Sequence, residues 1–221
     1  MDQIKPHKKL GAVLFDLDGV LVDTAKCHFL AWKKIAEQLS ITIDEKVNEK
    51  LKGVDRRDSF LIITRGRAFS EPEIHQYCTL KNGYFLEFIS RLTAEDVLPG
   101  VRPLIKSLDT QGIKKAVCSA SKNARTILAN TGLIKYFDIV IDGHAIERGK
   151  PDPQVFLAAA RALAVNPATC IVIEDAQAGI EAARRAGMKA VGVGERHVLA
   201  HADTVIKTLV ELSVKTLQSL L

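Results

Sequence analysis

The stretch of chain after Val97 alternates short apolar runs with longer segments in which apolar residues recur at helical spacing. The apolar runs are the candidate strands, at residues 114–118, 137–141, 170–173, 188–193 and 204–206. The helical spacing is clearest in residues 153–163 and 176–186. Successive strand–helix units of this kind build a parallel sheet covered by helices. The alternation therefore predicts an α/β fold around a parallel sheet.

The segment between about residues 24 and 96 has a different pattern. Apolar residues recur at helical spacing in residues 28–39, 56–63 and 71–92, and no run there is typical of a strand. A strand predicted at residues 11–15 precedes this segment. We therefore predict an α/β core of residues 1–22 and 97–221, with residues 23–96 inserted as an all-helical cap domain. The cap would lie over the strand ends, with hinges near Asp23 and Val97.

The composition argues against several classes of protein. Of the 221 residues, 47% are hydrophobic, and no apolar run approaches the ~20 residues needed to cross a bilayer. The four cysteines are widely separated and form no CxxC pair, which argues against a zinc or redox site. The net charge of +5 favours anionic partners, but basic and aromatic residues are not interleaved as in nucleic-acid-binding proteins. We expect a cytoplasmic protein with no membrane or nucleic-acid partner.

Polar and charged side chains follow four of the predicted strands, where the ends of parallel strands meet and ligands bind. They are Asp16 and Asp18, then Ser119, Ser121, Lys122 and Asn123 together with the backbone amide of Ala120, then Lys150, then Glu174 and Asp175. Taken singly, each group has an ordinary explanation, such as an Asx turn, a helix N-cap or a surface lysine. Hydroxyls and amides at a helix start also hold phosphate, and adjacent acids are better tolerated around a divalent cation.

The order and spacing of these four groups, over nearly the whole chain, resemble the haloacid dehalogenase superfamily. The resemblance implies a Rossmann-like, haloacid dehalogenase-like core, a Mg²⁺ cofactor and an aspartyl-phosphate intermediate. It makes Asp16 the nucleophile and Asp18 the general acid and base. It assigns the metal to Asp16, Asp18 through its carbonyl, Glu174 and Asp175, and the transferring phosphate to Ser119, Ala120 and Lys150. A carboxylate can attack an anionic phosphoryl group only where cations cancel the repulsion.

Three stretches of the predicted cap resemble the β-phosphoglucomutase family, namely residues 23–32, residues 51–59 and, by position in the third cap helix, Lys81 and Asn82. That family isomerises β-glucose 1-phosphate and glucose 6-phosphate through a bound bisphosphate. The resemblance places Thr24, His28, Trp32, Lys52, Gly53, Val54 and Lys81 on the sugar side, and Ser121, Lys122 and Asn123 at the distal phosphate, the one that is not transferred. We add Arg56 to the distal site, because its planar fork matches phosphate oxygens. Without the resemblance, a helix-surface or partly buried histidine is the better interpretation of His28, and a core aromatic is the better interpretation of Trp32.

The sequence thus predicts a phosphomutase that interconverts β-D-glucose 1-phosphate and D-glucose 6-phosphate through an aspartyl-phosphate and β-glucose 1,6-bisphosphate. The alternative is a Mg²⁺-dependent sugar-phosphate phosphatase, which keeps every core residue. A phosphatase needs no site for a second phosphate, so the joint presence of His28, Trp32, Lys52 and Arg56 favours the mutase. We expect a monomer that binds a small sugar phosphate, because the cap must move freely.

Overall fold

A computed structural model of the chain describes residues 9–51 and 54–221. Its centre is a six-stranded, fully parallel sheet in the order β3-β2-β1-β4-β5-β6. The strands are β1 (Ala12–Phe15), β2 (Lys114–Cys118), β3 (Ile139–Ile141), β4 (Cys170–Glu174), β5 (Lys189–Val193) and β6 (Thr204–Ile206). All six predicted strands are confirmed, and the largest difference is that β3 begins two residues later than predicted.

Helices cover the sheet and fill the segment between β1 and β2. They are α1 (Ala25–Gln38), α2 (Glu45–Leu51), α3 (Arg56–Thr64), α4 (Glu71–Ile89), α5 (Val101–Thr110), α6 (Ala124–Asn130), α7 (Gln154–Ala162), α8 (Gln177–Arg185) and α9 (Val214–Gln218). Over the described part of the chain, none of these helices has the length and apolar character needed to span a membrane.

The central strands are buried on both faces, as expected for a parallel sheet between two helical layers. Val13 and Phe15 of β1 point into one apolar cluster, which includes Leu104 of α5 and Ile127 of α6. The alternate residues Ala12 and Leu14 point into a second cluster with residues of α7 and α8. The side-chain alternation of β1 therefore anchors the strand from both sides.

Helices α1 to α4 share a third apolar cluster, formed by residues between 29 and 84. Phe60 of α3 is fully buried there and stacks on Tyr77 of α4, with ring centroids 5.4 Å apart. The two segments that connect these helices to the sheet run side by side, since Val22 forms an antiparallel bridge with Val97. Helices α1 to α4 are thus joined to the sheet by two adjacent connecting segments, which lie at the edge where the strands have their carboxyl ends.

Candidate active site

The ends of β1, β2 and β4 bring the predicted catalytic groups together. Phe15 of β1 pairs with Val117 of β2 on one side and with Ile173 of β4 on the other. Asp16 therefore follows the central strand, between the loop that begins at Ser119 and the acid Glu174. These three residues are buried, with exposed fractions of 8%, 1% and 1%.

The ammonium of Lys150 lies between two of these acids. Its Nζ donates hydrogen bonds to Asp16 Oδ1, to Glu174 Oε1 at 2.5 Å and to the carbonyl oxygen of Cys118 at 3.1 Å. Burial opposes the charged form of this side chain, but the carboxylates of Asp16 and Glu174 outweigh it and raise the pKa of Lys150 above its ordinary value. Lys150 is therefore a fixed positive charge beside Asp16.

Three carboxylates are crowded together at this point, two of them bonded to Lys150. Oxygens of Asp16, Glu174 and Asp175 all lie within 4.8 Å of one another. Burial raises the pKa of Asp16 well above its usual range, although Lys150 partly opposes the shift. Oxygen donors crowded in this way suit a hard divalent cation such as Mg²⁺. The donor set therefore fits the metal that the sequence predicts.

Two glycines make room for these acids. A Cβ on Gly179 of α8 would overlap the carboxylate of Glu174, and a Cβ on Gly19 would overlap that of Asp175. Gly19 also has a φ of +78°, which strains any residue with a side chain. Any residue larger than glycine at position 19 or 179 would therefore compete with one of these carboxylates for the same space.

Asp18 lies two residues beyond Asp16, and its side chain is 31% exposed. Thr24 Oγ1 donates a hydrogen bond to Asp18 Oδ1, although Thr24 stands at the N-cap position of α1. Burial raises the pKa of Asp18, and the Thr24 hydrogen bond opposes the shift. A raised pKa brings a carboxyl group closer to the range in which it can both give and take a proton.

His28 and Lys81 form the next layer, on α1 and α4. Lys81 Nζ lies 3.0 Å from His28 Nδ1, and His28 Nε2 lies 3.9 Å from Asp18 Oδ1. Lys81 Nζ also sits over the rings of Trp32 and Phe85, 5.2 and 4.6 Å from their centroids. Burial lowers the pKa of Lys81 to about 7, and Arg56 adds to the shift. Trp32 is both a core aromatic of the helical cluster and a wall of the cavity.

A third group of polar contacts joins α3, α4 and the loop before α6. Asn82 Oδ1 accepts hydrogen bonds from Arg56 Nη2 at 2.8 Å and from Asn123 Nδ2 at 2.9 Å. Sequence reasoning missed this role of Asn82, which stood out only as the neighbour of Lys81. In the same loop, the amide of Asn123 donates to Ser121 Oγ at 3.2 Å.

Most of these groups face one cavity of about 890 Å³. It is lined by Asp16, Asp18, Thr24, His28, Trp32, Val54, Arg56, Lys81, Ala120, Ser121, Lys122, Asn123, Lys150, Glu174 and Asp175 among others. Ser119 lies behind this surface, where its Oγ accepts a hydrogen bond from the Ser121 amide at 3.0 Å. That contact uses a lone pair of the hydroxyl and not its proton. The predicted ligands Lys52 and Gly53 lie outside the described residues.

The cavity extends to residues that the sequence did not single out. Gln177 at the start of α8, and Gly194, Glu195 and Lys207 beyond the last two strands, also line it. Among the described residues, the buried Oε1 of Gln177 has no hydrogen-bond partner. No motif in the sequence marked these positions, because they belong to loops whose place depends on the whole sheet.

This combination of a parallel sheet, strand-end acids and a buried lysine defines a class of proteins. A family model described as haloacid dehalogenase-like hydrolase matches residues 10–187. The Beta-phosphoglucomutase of Bacillus subtilis is 44% identical over 210 residues, covering 93% of each chain. A crystal structure of beta-phosphoglucomutase from Clostridium difficile has a TM-score of 0.90 and 40% identity, covering 96% of both chains. A "Phosphorylated carbohydrates phosphatase" of Thermotoga maritima is 30% identical, covering 81% of this chain and 83% of that protein.

The chain therefore belongs to the haloacid dehalogenase-like hydrolase family and, within it, to the β-phosphoglucomutase family. The fold class predicted from the sequence, a haloacid dehalogenase-like α/β core with added helices, is confirmed.

Proposed function

We propose that this protein is a Mg²⁺-dependent phosphomutase that interconverts β-D-glucose 1-phosphate and D-glucose 6-phosphate. The observation that carries the proposal is one cavity that is lined both by the buried pair Asp16 and Lys150 and by Arg56 with Asn123. A mutase that works through a bisphosphate needs sites for two phosphates at once. The 44% identity to the Beta-phosphoglucomutase of B. subtilis supports the same function.

Asp16, the Asp18 carbonyl, Glu174 and Asp175 would hold the Mg²⁺. When bound there, the ion would neutralise part of the negative charge on the transferring phosphoryl group. Lys150 supplies a further positive charge next to Asp16, and Ser119 and the Ala120 amide would donate to the phosphoryl oxygens.

In the first half-reaction, an Asp16 carboxylate oxygen attacks the phosphorus of the bound sugar phosphate or bisphosphate. The bond between that oxygen and phosphorus forms while the bond from phosphorus to the sugar oxygen breaks. Asp18 gives its proton to the departing sugar oxygen, so a neutral hydroxyl leaves. In the second half-reaction, Asp18 removes the proton of another sugar hydroxyl, which attacks the phosphorus and releases the Asp16 carboxylate.

The second phosphate of the sugar would bind at the distal site of Arg56, Ser121, Lys122 and Asn123. The sugar itself would lie against Thr24, His28, Trp32, Val54 and Lys81, with Lys52 and Gly53 completing this side. Holding the distal phosphate in either orientation of the sugar lets the 1-position and the 6-position reach Asp16 in turn.

The phosphorylated Asp16 must react with a sugar hydroxyl before water reaches it. We propose that residues 23–96 act as a cap that closes over residues 1–22 and 97–221 and excludes water. The side-by-side segments around Val22 and Val97 suit this motion, because few backbone angles need to change there. The monomeric state and the cytoplasmic location also stay predictions.

The decisive experiment follows glucose 6-phosphate and inorganic phosphate in parallel. The reaction contains β-glucose 1-phosphate, Mg²⁺ and a trace of β-glucose 1,6-bisphosphate. The proposal expects glucose 6-phosphate to form well ahead of free phosphate. Free phosphate alone would overturn the proposal and indicate a sugar-phosphate phosphatase. The variant Arg56→Ala should lose far more bisphosphate turnover than acetyl phosphate hydrolysis, because only the bisphosphate needs the distal site.

A further inference from the structure

We propose that Asn82 is a positioning residue that sets the distal phosphate site, by joining Arg56 of α3 to Asn123 of the loop before α6. The inference rests on the proposed function, since it concerns the phosphate that is not transferred. Neither Arg56 nor Asn123 lies on the same element as Asn82, which belongs to α4. One carboxamide therefore connects two helices of the inserted segment with the sheet-side loop.

The geometry converges on a single atom. Arg56 Nη2 and Asn123 Nδ2 approach the same Asn82 Oδ1, at 2.8 and 2.9 Å. A carboxamide oxygen has two lone pairs, so two donors satisfy it. Both nitrogens are thereby held within hydrogen-bond distance of the same oxygen atom.

The two hydrogen bonds to Asn82, which together form a bridge between Arg56 and Asn123, leave most of the N–H groups of these two side chains unused. Arg56 carries five N–H groups and Asn123 carries two on its carboxamide, and the bridge takes one from each. The remaining N–H groups are the ones that a phosphate would engage, while Asn82 fixes the planes in which they lie. Fixing the planar guanidinium matters because bidentate phosphate binding depends on its orientation.

The charge of residue 82 distinguishes positioning from simple cross-linking. An uncharged carboxamide orients Arg56 and leaves its positive charge available to the phosphate. A carboxylate at the same place would accept the same two hydrogen bonds more strongly but would repel the phosphate and neutralise Arg56. The natural asparagine therefore combines an acceptor oxygen with zero charge.

The test measures the affinity for β-glucose 1,6-bisphosphate by calorimetry in an Asp16→Asn background, where phosphoryl transfer is blocked. We expect Asn82→Ala to weaken binding about ten-fold and Asn82→Asp to weaken it further. In a double-mutant cycle with Arg56→Ala, the two losses should be less than additive, because each removes the same bridge. Gly83→Ala, the exposed next residue on α4 with nothing near its Cβ position, is the control expected to bind as tightly as the parent.

Two results would overturn the inference: unchanged affinity in Asn82→Ala, or full affinity in Asn82→Asp, which would make the contact a structural cross-link only. Urea-unfolding curves of the variants separate loss of binding from loss of the fold. A different result refutes the proposed mutase activity, namely the release of only free phosphate by the wild-type enzyme. In that case, an Asn82-dependent affinity would still establish the positioning role.

Discussion

Lys81 Nζ lies 3.0 Å from His28 Nδ1, so the protonation state of the lysine bears on which nitrogen of the ring carries the hydrogen. When Lys81 is an ammonium it only donates, so Nδ1 accepts and Nε2 carries the hydrogen. Burial, followed by Lys81 and Arg56, lowers the pKa of His28 well below its ordinary value, so the ring is neutral. Its Nε2–H lies on the side of Asp18, 3.9 Å from Oδ1.

This arrangement predicts that His28→Ala uncouples sugar binding from the placement of Asp18. Phosphorylation of the sugar by phosphorylated enzyme should fall at least about ten-fold more than hydrolysis of that enzyme by water. A single-turnover experiment that partitions labelled phosphate between sugar and water measures both rates. His75→Ala, on the exposed face of α4, is the control and should leave the partition unchanged. Equal losses in the two reactions would remove the coupling role.

The buried ammonium of Lys81 predicts a pH-dependent stability. Lys81 is 3% exposed, and its pKa is lowered from 10.5 to about 7. Between these values the unfolded chain binds more protons than the folded chain at this residue, so the free energy of unfolding rises with pH. Below about pH 7 both states hold the proton, and the full cost of burying the charge is present.

Urea unfolding of wild type and Lys81→Met over this range tests the linkage. We expect the wild type to gain about 2 kcal/mol relative to the variant between about pH 7 and 9. Only the slope is used, because the variant also loses the hydrogen bond to His28. Lys33 is an exposed residue on α1, so the stability difference between the wild type and Lys33→Met should stay constant over the same pH range. A stability difference that stays constant with pH would contradict the prediction.

The sheet and the strand-end residues could be predicted because they depend on local patterns. Apolar runs mark the six strands, and parallel strands bring their carboxyl ends to one edge whatever the loops do. Helix α2 was not predicted, because Glu45–Leu51 is mostly polar and too short for apolar spacing to show. Its start depends on Asp44, whose side chain accepts from the Val47 amide at 2.9 Å.

The contacts inside the site could not be predicted, because they join residues far apart in the chain. Lys150 and Asp16 are 134 residues apart, and Asn82 and Asn123 are 41 apart. Sequence spacing gives no register between such positions. Thr24 shows the same limit at short range, since its position favours a helix N-cap whereas its hydroxyl donates to Asp18.

The close packing of Gly179 against Glu174 predicts a metal-binding defect in Gly179→Ala. The added methyl group would overlap the Glu174 carboxylate, which must then move from its place beside Lys150. We expect the affinity for Mg²⁺, titrated directly on the protein, to fall about 10- to 100-fold. Gly83→Ala adds a methyl group in open space within α4 and should leave Mg²⁺ affinity unchanged while stabilising the fold by about 0.5–1 kcal/mol. Unchanged Mg²⁺ affinity in Gly179→Ala would mean that α8 yields and Glu174 stays in place.

The position of Asp16 at the end of the central strand predicts that Asp16→Asn cannot form a phosphoenzyme. The amide keeps an acceptor oxygen for Lys150 but cannot displace a leaving group from phosphorus as a carboxylate does. Labelled sugar phosphate with Mg²⁺ should transfer acid-stable, base-labile phosphate to wild type and to Glu37→Gln, an exposed carboxylate on α1, but not to Asp16→Asn. A matching urea-unfolding curve verifies that the variant is folded. Retained acid-stable, base-labile label on Asp16→Asn would refute Asp16 as the nucleophile and move the search to the neighbouring acids of the cluster.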